Sequence, residues 1–433
     1  VSGATTGMIG FVAVVLLIMA RVPVAIAMGV VGAVGLGVLN GWSSLAFILG
    51  RAPFEAVFPV GLSVVPLFVM MGAFAAYGGL SRALYGASVA FFGHFRGGLA
   101  ISTVGASAMF GAICGSSLAT AATIGRIAMP EMRRLGYQDS LASASVAAGG
   151  TLGVMIPPSV LLIVYGLLTE QSIGKLFAAG VLPGILGMLL YMAAVSIRTA
   201  RNPALGPAAP RVDWRGKLLA TASIWKVLLL FAVVLGGMYL GWFSPTEAAA
   251  VGAAGALLLG LLSRQLDRRS ILSGLQETVL TTAMIFLILI GAAIFNYFVE
   301  SSGLPDALIA SVEKLGLSPT LVLLVLVILF VALGCLMDSL SMMMLTIPGV
   351  FPLVTALGYD PIWFGVIMVT LAEIGMITPP VGMNLFVLQG VVPGLTMQSM
   401  IRGITPFVVA DLVRVALLVA FPMIALWLPS GMN

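Results

Sequence analysis

Charge is what this chain has least of. Only 8% of its 433 residues are Asp, Glu, Lys or Arg, against roughly 25% in an ordinary soluble domain, while 61% are hydrophobic. A soluble globular domain is excluded. The one histidine, His94, leaves no ligand set for zinc and rules out a metalloprotease; it reads as a loop residue at headgroup level. Two cysteines, Cys114 and Cys335, lie in apolar segments and suggest neither a disulfide framework nor a metal cluster. No P-loop signature is present, so ATP is not expected to drive the protein. An intramembrane aspartyl protease would need two facing aspartates; Asp360, in "GYD", falls in an outer loop, and there is no GxGD motif.

What the chain does have is a succession of apolar runs, each long enough to cross a bilayer at about 20 residues. The fold class is therefore an all-α polytopic membrane protein. The run from Met8 to Ala20 has no basic segment before it and continues past Arg21 into another apolar run. It reads as a transmembrane helix and not as a cleaved signal peptide. The longest interruption, "RTARNPALGPAAPRVDWRGK" at 198–217, is rich in Pro, Ala and Arg and reads as a linker between two halves.

Those halves are copies. Sliding the chain by 222 positions superimposes Ser117, Leu118, Pro130, Leu135, Gly136, Tyr137, Gly153, Pro157 and Pro158 on Ser339, Leu340, Pro352, Leu357, Gly358, Tyr359, Gly375, Pro379 and Pro380 without a gap, and Pro23 on Pro245. A register that catches L-G-Y and P-P together marks a duplication. Charge suggests the orientation, because cytoplasmic loops are enriched in Lys and Arg. The first copy leaves its hairpin through Arg133 and Arg134, where the second has Thr355 and Ala356. Ten spans and two re-entrant hairpins put 15 of the 20 basic residues on the cytoplasmic side. The expectation is an inverted repeat of five spans plus one hairpin each, with both termini periplasmic.

The first repeat then covers 1–200, with a hairpin at 98–135 and a broken span at 139–167. A cytoplasmic linker follows at 201–217. The second repeat covers 218–433, with a hairpin at 317–358 and a broken span at 361–391. Each copy is ordered as span, span, amphipathic arm, span, hairpin, broken span, span. Hairpins, broken spans and third spans are expected to move as one body against a scaffold of spans one, two, six and seven with the amphipathic arms.

The breaks are "GVMIPPSVLLIVYG" and "GMITPPVGMNLFVLQG". Proline removes a backbone donor and clashes with the preceding turn, so two in succession unwind a helix. Irregular backbone at membrane depth is tolerated only where it is buried in protein or lines a polar cavity. Inverted repeats with broken helices are the pattern of secondary transporters, in which free carbonyls hold a hard cation such as Na⁺ and half-helix N-termini face an anionic substrate. Each break is paired with a serine-bearing hairpin tip, "CGSSLAT" and "LMDSLSM". Two cation sites flanking one substrate site are expected.

The first cation site would use Ser116, Ser117 and the Gly150, Gly153 and Ile156 stretch. The second would use Asp338, Ser339, Glu373, Gly375 and Thr378. Substrate contacts would come from Ser116, Thr120, Arg126, Asp338 and Ser339. An ionisable residue within the membrane is a functional candidate by default, which singles out Asp338. Glu373 would either compensate a cation or orient the unwound backbone, and Arg126 would either pair with a substrate carboxylate or bridge helices.

"GSSLATAATIGRIAMPEMRRLGY", "GGTLGVMIPPS", "SPTEAAAVGA" and "EIGMITPPVGMNLFV" closely resemble the large membrane subunit of the tripartite ATP-independent periplasmic (TRAP) transporters, over essentially the whole chain. The resemblance implies an ion-transporter-like elevator in the bacterial inner membrane, a sodium-coupled importer of organic acids with at least two Na⁺ sites and no organic cofactor. It also implies a small four-helix membrane subunit and a periplasmic substrate-binding protein as partners, and none with nucleic acid. The nearest rival is a stand-alone sodium/dicarboxylate symporter of the same architecture; a channel is disfavoured by two hairpins meeting at the midplane.

Other residues have plainer readings. Ser244, Pro245 and Glu247 form a capping-box pattern. Asp411 and Arg414 are three apart and suit a structural pair. The Met-rich "MMMLTIPG" suits adaptable packing.

Overall fold

A computed structural model describes residues 2–432, and every regular element among them is helical. Six helices are long and apolar enough to cross a membrane by length and composition, or seven if the pair Trp214–Ser223 and Trp225–Tyr239, bent by 46°, is one span. Ten such spans are not present as single helices. The first two, Gly3–Met19 and Val24–Asn40, have 17 residues each and reach about 26 Å at 1.5 Å per residue, just under a typical hydrocarbon core. Two more are divided by the Pro-Pro breaks.

The hairpins fold as helix pairs, Gly98–Cys114 with Ser117–Arg134 and Pro319–Gly334 with Ser339–Ala356. The first broken span runs as Asp139–Thr151, a short 3-10 turn Leu152–Val154, then Val160–Thr169. The second runs as Pro361–Ile377, then Met383–Val391. Pro157-Pro158 and Pro379-Pro380 are both cis, at matching places in the two halves.

The halves differ at the third span. In the first copy the amphipathic helix Trp42–Val57 ends before Pro59, and the chain restarts at Val64–Tyr77. The equivalent of Pro59 is Thr281, so nothing interrupts the second copy. Arm and span merge there into one 34-residue helix, Arg268–Ser301.

Packing sorts the helices into two groups. Val24–Asn40 lies along Arg268–Ser301, which also packs on Val64–Tyr77, and Pro245–Leu262 covers Val64–Tyr77. By packing, the third spans sit mainly with the outer group, although they also touch the hairpins. The inner group includes the fifth spans, Ile173–Arg201 and Met397–Ala420, which pack on the hairpins and broken spans. Asp139–Thr151 is buried almost throughout, and its Ser, Ala and Gly content lets neighbouring helices approach closely on every side. The linker is also more than a tether. Its backbone pairs with the base of the first hairpin, through Gly97 N–H to Gly206 O at 2.9 Å, Gln138 N–H to Leu205 O at 3.1 Å and Ala209 N–H to Gly93 O at 2.9 Å.

Candidate functional site

Both hairpin tips are helix N-termini. Ser116 caps Ser117–Arg134, its hydroxyl accepting from Ala119 N–H at 3.4 Å. Asp338 caps Ser339–Ala356, accepting from Ser341 N–H at 3.1 Å and from the Ser341 hydroxyl. Capping fixes the turn and leaves the remaining first-turn N–H groups and the positive dipole end directed at the tip.

The tips meet. Ser116, Ser117, Asp338 and Ser339 line one cavity of about 160 Å³, together with Val154 and Val160 from the first break, Met376 from the second, and Val69, Glu277 and Thr281 from the third spans. It shares Cys114, Ala119 and Glu277 with a vestibule of about 690 Å³ that also carries Tyr77, Arg82, Arg126 and Gln265. The site therefore lies between the inner and outer helix groups, with one wall on each. Ser116 and Asp338, 222 residues apart in sequence, are brought together only by this packing.

Behind each tip, a hairpin arm and a break approach backbone to backbone. A Cβ added at Gly153 would fall 2.9 Å from Gly111 Cα, and one added at Gly375 would fall 2.5 Å from Gly334 Cα. Only glycine fits at these contacts. Thr120 sits at the first of them, its Oγ1 3.0 Å from where a Gly153 Cβ would stand, fully buried and without a hydrogen-bond partner. An orphaned hydroxyl beside an unwound backbone suits a small hard cation taking oxygen ligands. Thr120 does not line the tip cavity.

Other expected residues are placed as follows. Arg126 is exposed in the vestibule and does not line the tip cavity. The Ser117 hydroxyl is engaged with the Asn384 side chain, at 2.7 Å from Nδ2, and Ser339 with the Met376 sulfur at 2.9 Å. Gly150 packs on Ala121, where an added Cβ would meet Ala121 Cβ at 2.9 Å. Ile156 donates its N–H to Leu152 O at 3.1 Å. Thr378 donates its hydroxyl to Ile374 O at 2.6 Å, and its N–H reaches Gly375 O at 3.2 Å, so that carbonyl is already used.

Glu373 does not line the tip cavity. Its side chain is fully buried and turns to Arg414, away from the second tip. Arg414 also pairs with Asp411 at 2.8 Å, so the expected structural pair gains a third member from the broken span. Glu373 Oε2 is engaged by the Arg414 guanidinium, while Oε1 has no hydrogen-bond partner.

Asn384 and Glu277 were missed. Asn384, fully buried, donates to Ala147 O at 2.9 Å as well as to Ser117, tying the second break to the first tip. Its signal was a lone amide two residues past Gly382 in an apolar run. Glu277 was visible as an acid within a long apolar helix.

Hairpin tips that converge on one cavity, between two packed groups of apolar helices, are an arrangement that fits a membrane permease. The chain belongs to the tripartite ATP-independent periplasmic transporter, DctM component, family, whose model matches residues 11–424. It is 40% identical over 373 residues to the C4-dicarboxylate TRAP transporter large permease protein DctM of Pseudomonas aeruginosa, covering 86% of this chain and 87% of that one. It is 32% identical over 425 residues to the isethionate TRAP transporter permease protein DctMQ of Oleidesulfovibrio alaskensis, covering 96% of this chain and 64% of that longer protein. The fold is similar to the Alcanivorax borkumensis YdaH transporter, with a TM-score of 0.65 at 17% identity over 97% of this chain and 99% of that one.

Proposed function

We propose that this permease is a sodium-coupled importer of an organic anion, a carboxylate in the first instance, working by an elevator movement of the inner helix group against the outer one. The observation that carries this reading is the shared cavity at the two tips, where two helix N-termini converge. Convergent N-termini favour an anionic group. Cations held behind the tips would offset the charge of that group and of Asp338. The names of the relatives, which include a C4-dicarboxylate and an isethionate permease, support a small organic anion as substrate.

The chain would carry two inverted repeats, 1–200 and 218–433, joined by the cytoplasmic linker 201–217, with periplasmic termini. The vestibule holds Arg82 and Arg126. Basic residues favour the cytoplasmic face, so this conformation is read as inward-open. A periplasmic binding protein would deliver substrate, and a small membrane subunit would extend the outer group; the longer DctMQ relative supports the latter.

Uptake into liposomes containing the permease and its partners provides the test. An inward Na⁺ gradient should drive accumulation without ATP. Equal accumulation in K⁺ and Na⁺ media, with a proton gradient alone sufficient, would refute sodium coupling.

A further inference from the structure

An exposed groove separates the two fifth spans, away from the tip cavity and the vestibule. Ile173–Arg201 and Met397–Ala420 are each long and apolar enough to cross a membrane. They run antiparallel, since the Tyr191 hydroxyl donates to Asp411 and the Arg198 guanidinium, further along the first span, donates to Gly403 O, earlier in the second. Between them opens a cavity of about 690 Å³. One wall carries Leu190, Ala194, Ile197 and Arg201, at the alternating spacing of four and three that marks a single helix face, and the other carries Thr405, Val409 and Val413, four apart.

The two ends of the groove differ. From Leu190 to Ile197 its walls are apolar, and Ile197, Val409 and Val413 are exposed. The other end holds Arg198, Arg201 and Asn202, and no carboxylate lines any part of the groove. The rise from Leu190 to Arg201 is about 16 Å at 1.5 Å per residue, against about 15 Å for half of a hydrocarbon core. The apolar part thus matches the depth of one leaflet, with the arginines at headgroup level.

The basic end is built. Pro406 has no N–H to offer Arg402 O, four residues before it, and Arg198 takes its place: Nη2 donates to Arg402 O at 3.4 Å while Nη1 donates to Gly403 O at 3.1 Å. Arg201 pairs with no carboxylate among the described residues. Asn202 accepts from Ala204 N–H through Oδ1 at 3.3 Å, which leaves its amide N–H groups as donors. Asp139, next to the Ser140 that packs against Gly403, is engaged by Arg133 at 2.8 Å. Donors without acceptors at the end of an apolar slot suit an anion that carries its own hydrocarbon.

We propose that this groove binds one anionic phospholipid, its phosphate held by Arg198, Arg201 and the Asn202 amide and an acyl chain laid along Ala194, Ile197, Val409 and Val413. Basic pockets between membrane spans hold such headgroups. A zwitterionic lipid would fill the slot but bring a cation of its own toward the arginines, and an apolar helix of another protein would leave the guanidinium groups without an anion. The bound lipid joins the two fifth spans where Pro406 interrupts the hydrogen bonding of the second. Nothing in this assignment depends on the transported substrate or the coupling ion.

Native mass spectrometry of the detergent-purified permease, titrated with phosphatidylglycerol or with phosphatidylcholine of identical chains, reads the site directly. Two arginines predict roughly 30-fold tighter binding of phosphatidylglycerol. Arg198→Gln/Arg201→Gln should remove that preference, and Ala194→Phe, which narrows the slot, should weaken both lipids. Arg201→Gln alone should lower the affinity for phosphatidylglycerol about fivefold and serves if the double variant does not fold. Arg268→Gln/Arg269→Gln, an equal loss of charge at an exposed helix start, should keep the preference. Equal affinity for the two lipids, or a preference that survives the substitutions at Arg198 and Arg201, would overturn the proposal. Equally effective competition by glycerol 3-phosphate would overturn it in favour of a soluble-anion site. Benzoylphenylalanine in place of Ile197 should cross-link to phospholipid in native membranes; capture of the small membrane subunit instead would make the groove a protein interface and refute the lipid assignment.

Discussion

Replacing Gly375 with alanine tests whether the second break must touch its hairpin arm. The new Cβ would lie 2.4 Å from Gly334 C, 2.5 Å from its Cα and 2.8 Å from its O. Ordinary contact begins near 3.4 Å, so arm and break must part by roughly 1 Å in an interior packed as densely as an organic crystal. All three clashing atoms are backbone, and no flexible side chain can turn aside. Overpacking of this kind costs about 1–3 kcal/mol, of which the better helix propensity of alanine recovers at most about 1 kcal/mol. Gly349→Ala is the matched control, a helical glycine in the same hairpin with nothing within 4 Å of an added Cβ. Thermal unfolding in one detergent and Na⁺-activated uptake in liposomes would be measured for both. Gly375→Ala should melt earlier and need more Na⁺ for half-maximal uptake, whereas Gly349→Ala should match or exceed the parent in stability and leave uptake unchanged. Indistinguishable behaviour of the two variants would refute the claim that this backbone contact shapes the site.

Asp338→Asn should fold normally, because asparagine caps a helix as well as aspartate does, yet lose most uptake; unaltered uptake with unaltered Na⁺ dependence would reduce Asp338 to its capping role. Asn384→Leu removes the amide shared by Ser117 and Ala147 O and should cost about 1–3 kcal/mol in stability, with reduced uptake per folded molecule; a melting temperature equal to the parent's would show that the link carries no load. Ser244→Ala breaks a capping box in which Ser244 and Glu247 serve each other's helix start, and should lower stability by about 1 kcal/mol with no change in half-maximal Na⁺ concentration.

Composition alone determined that the chain is a helical membrane protein, since an 8% charge content cannot solvate a globular surface. The tips and breaks were equally legible, because Pro-Pro, glycine and serine act on the backbone within a turn or two and because the 222-residue register repeats them. Even the fused 34-residue helix has a local cause, the absence of a proline at Thr281. What the tertiary structure decided was which side chains face one another. Glu373 and Arg414 are 41 residues apart, Tyr191 and Asp411 are 220 apart, and Ser117 and Asn384 are 267 apart. Apolar periodicity could not orient them, since Pro361–Ile377 and Asp139–Thr151 are buried on nearly all sides and show no preferred face. In such helices the direction of a polar side chain is set by the rotation at which neighbouring helices pack, and that rotation depends on contacts made across the whole inner group. It turned Glu373 to Arg414, put Thr120 behind the tip, and set the third spans as one wall of the cavity with Glu277 lining it.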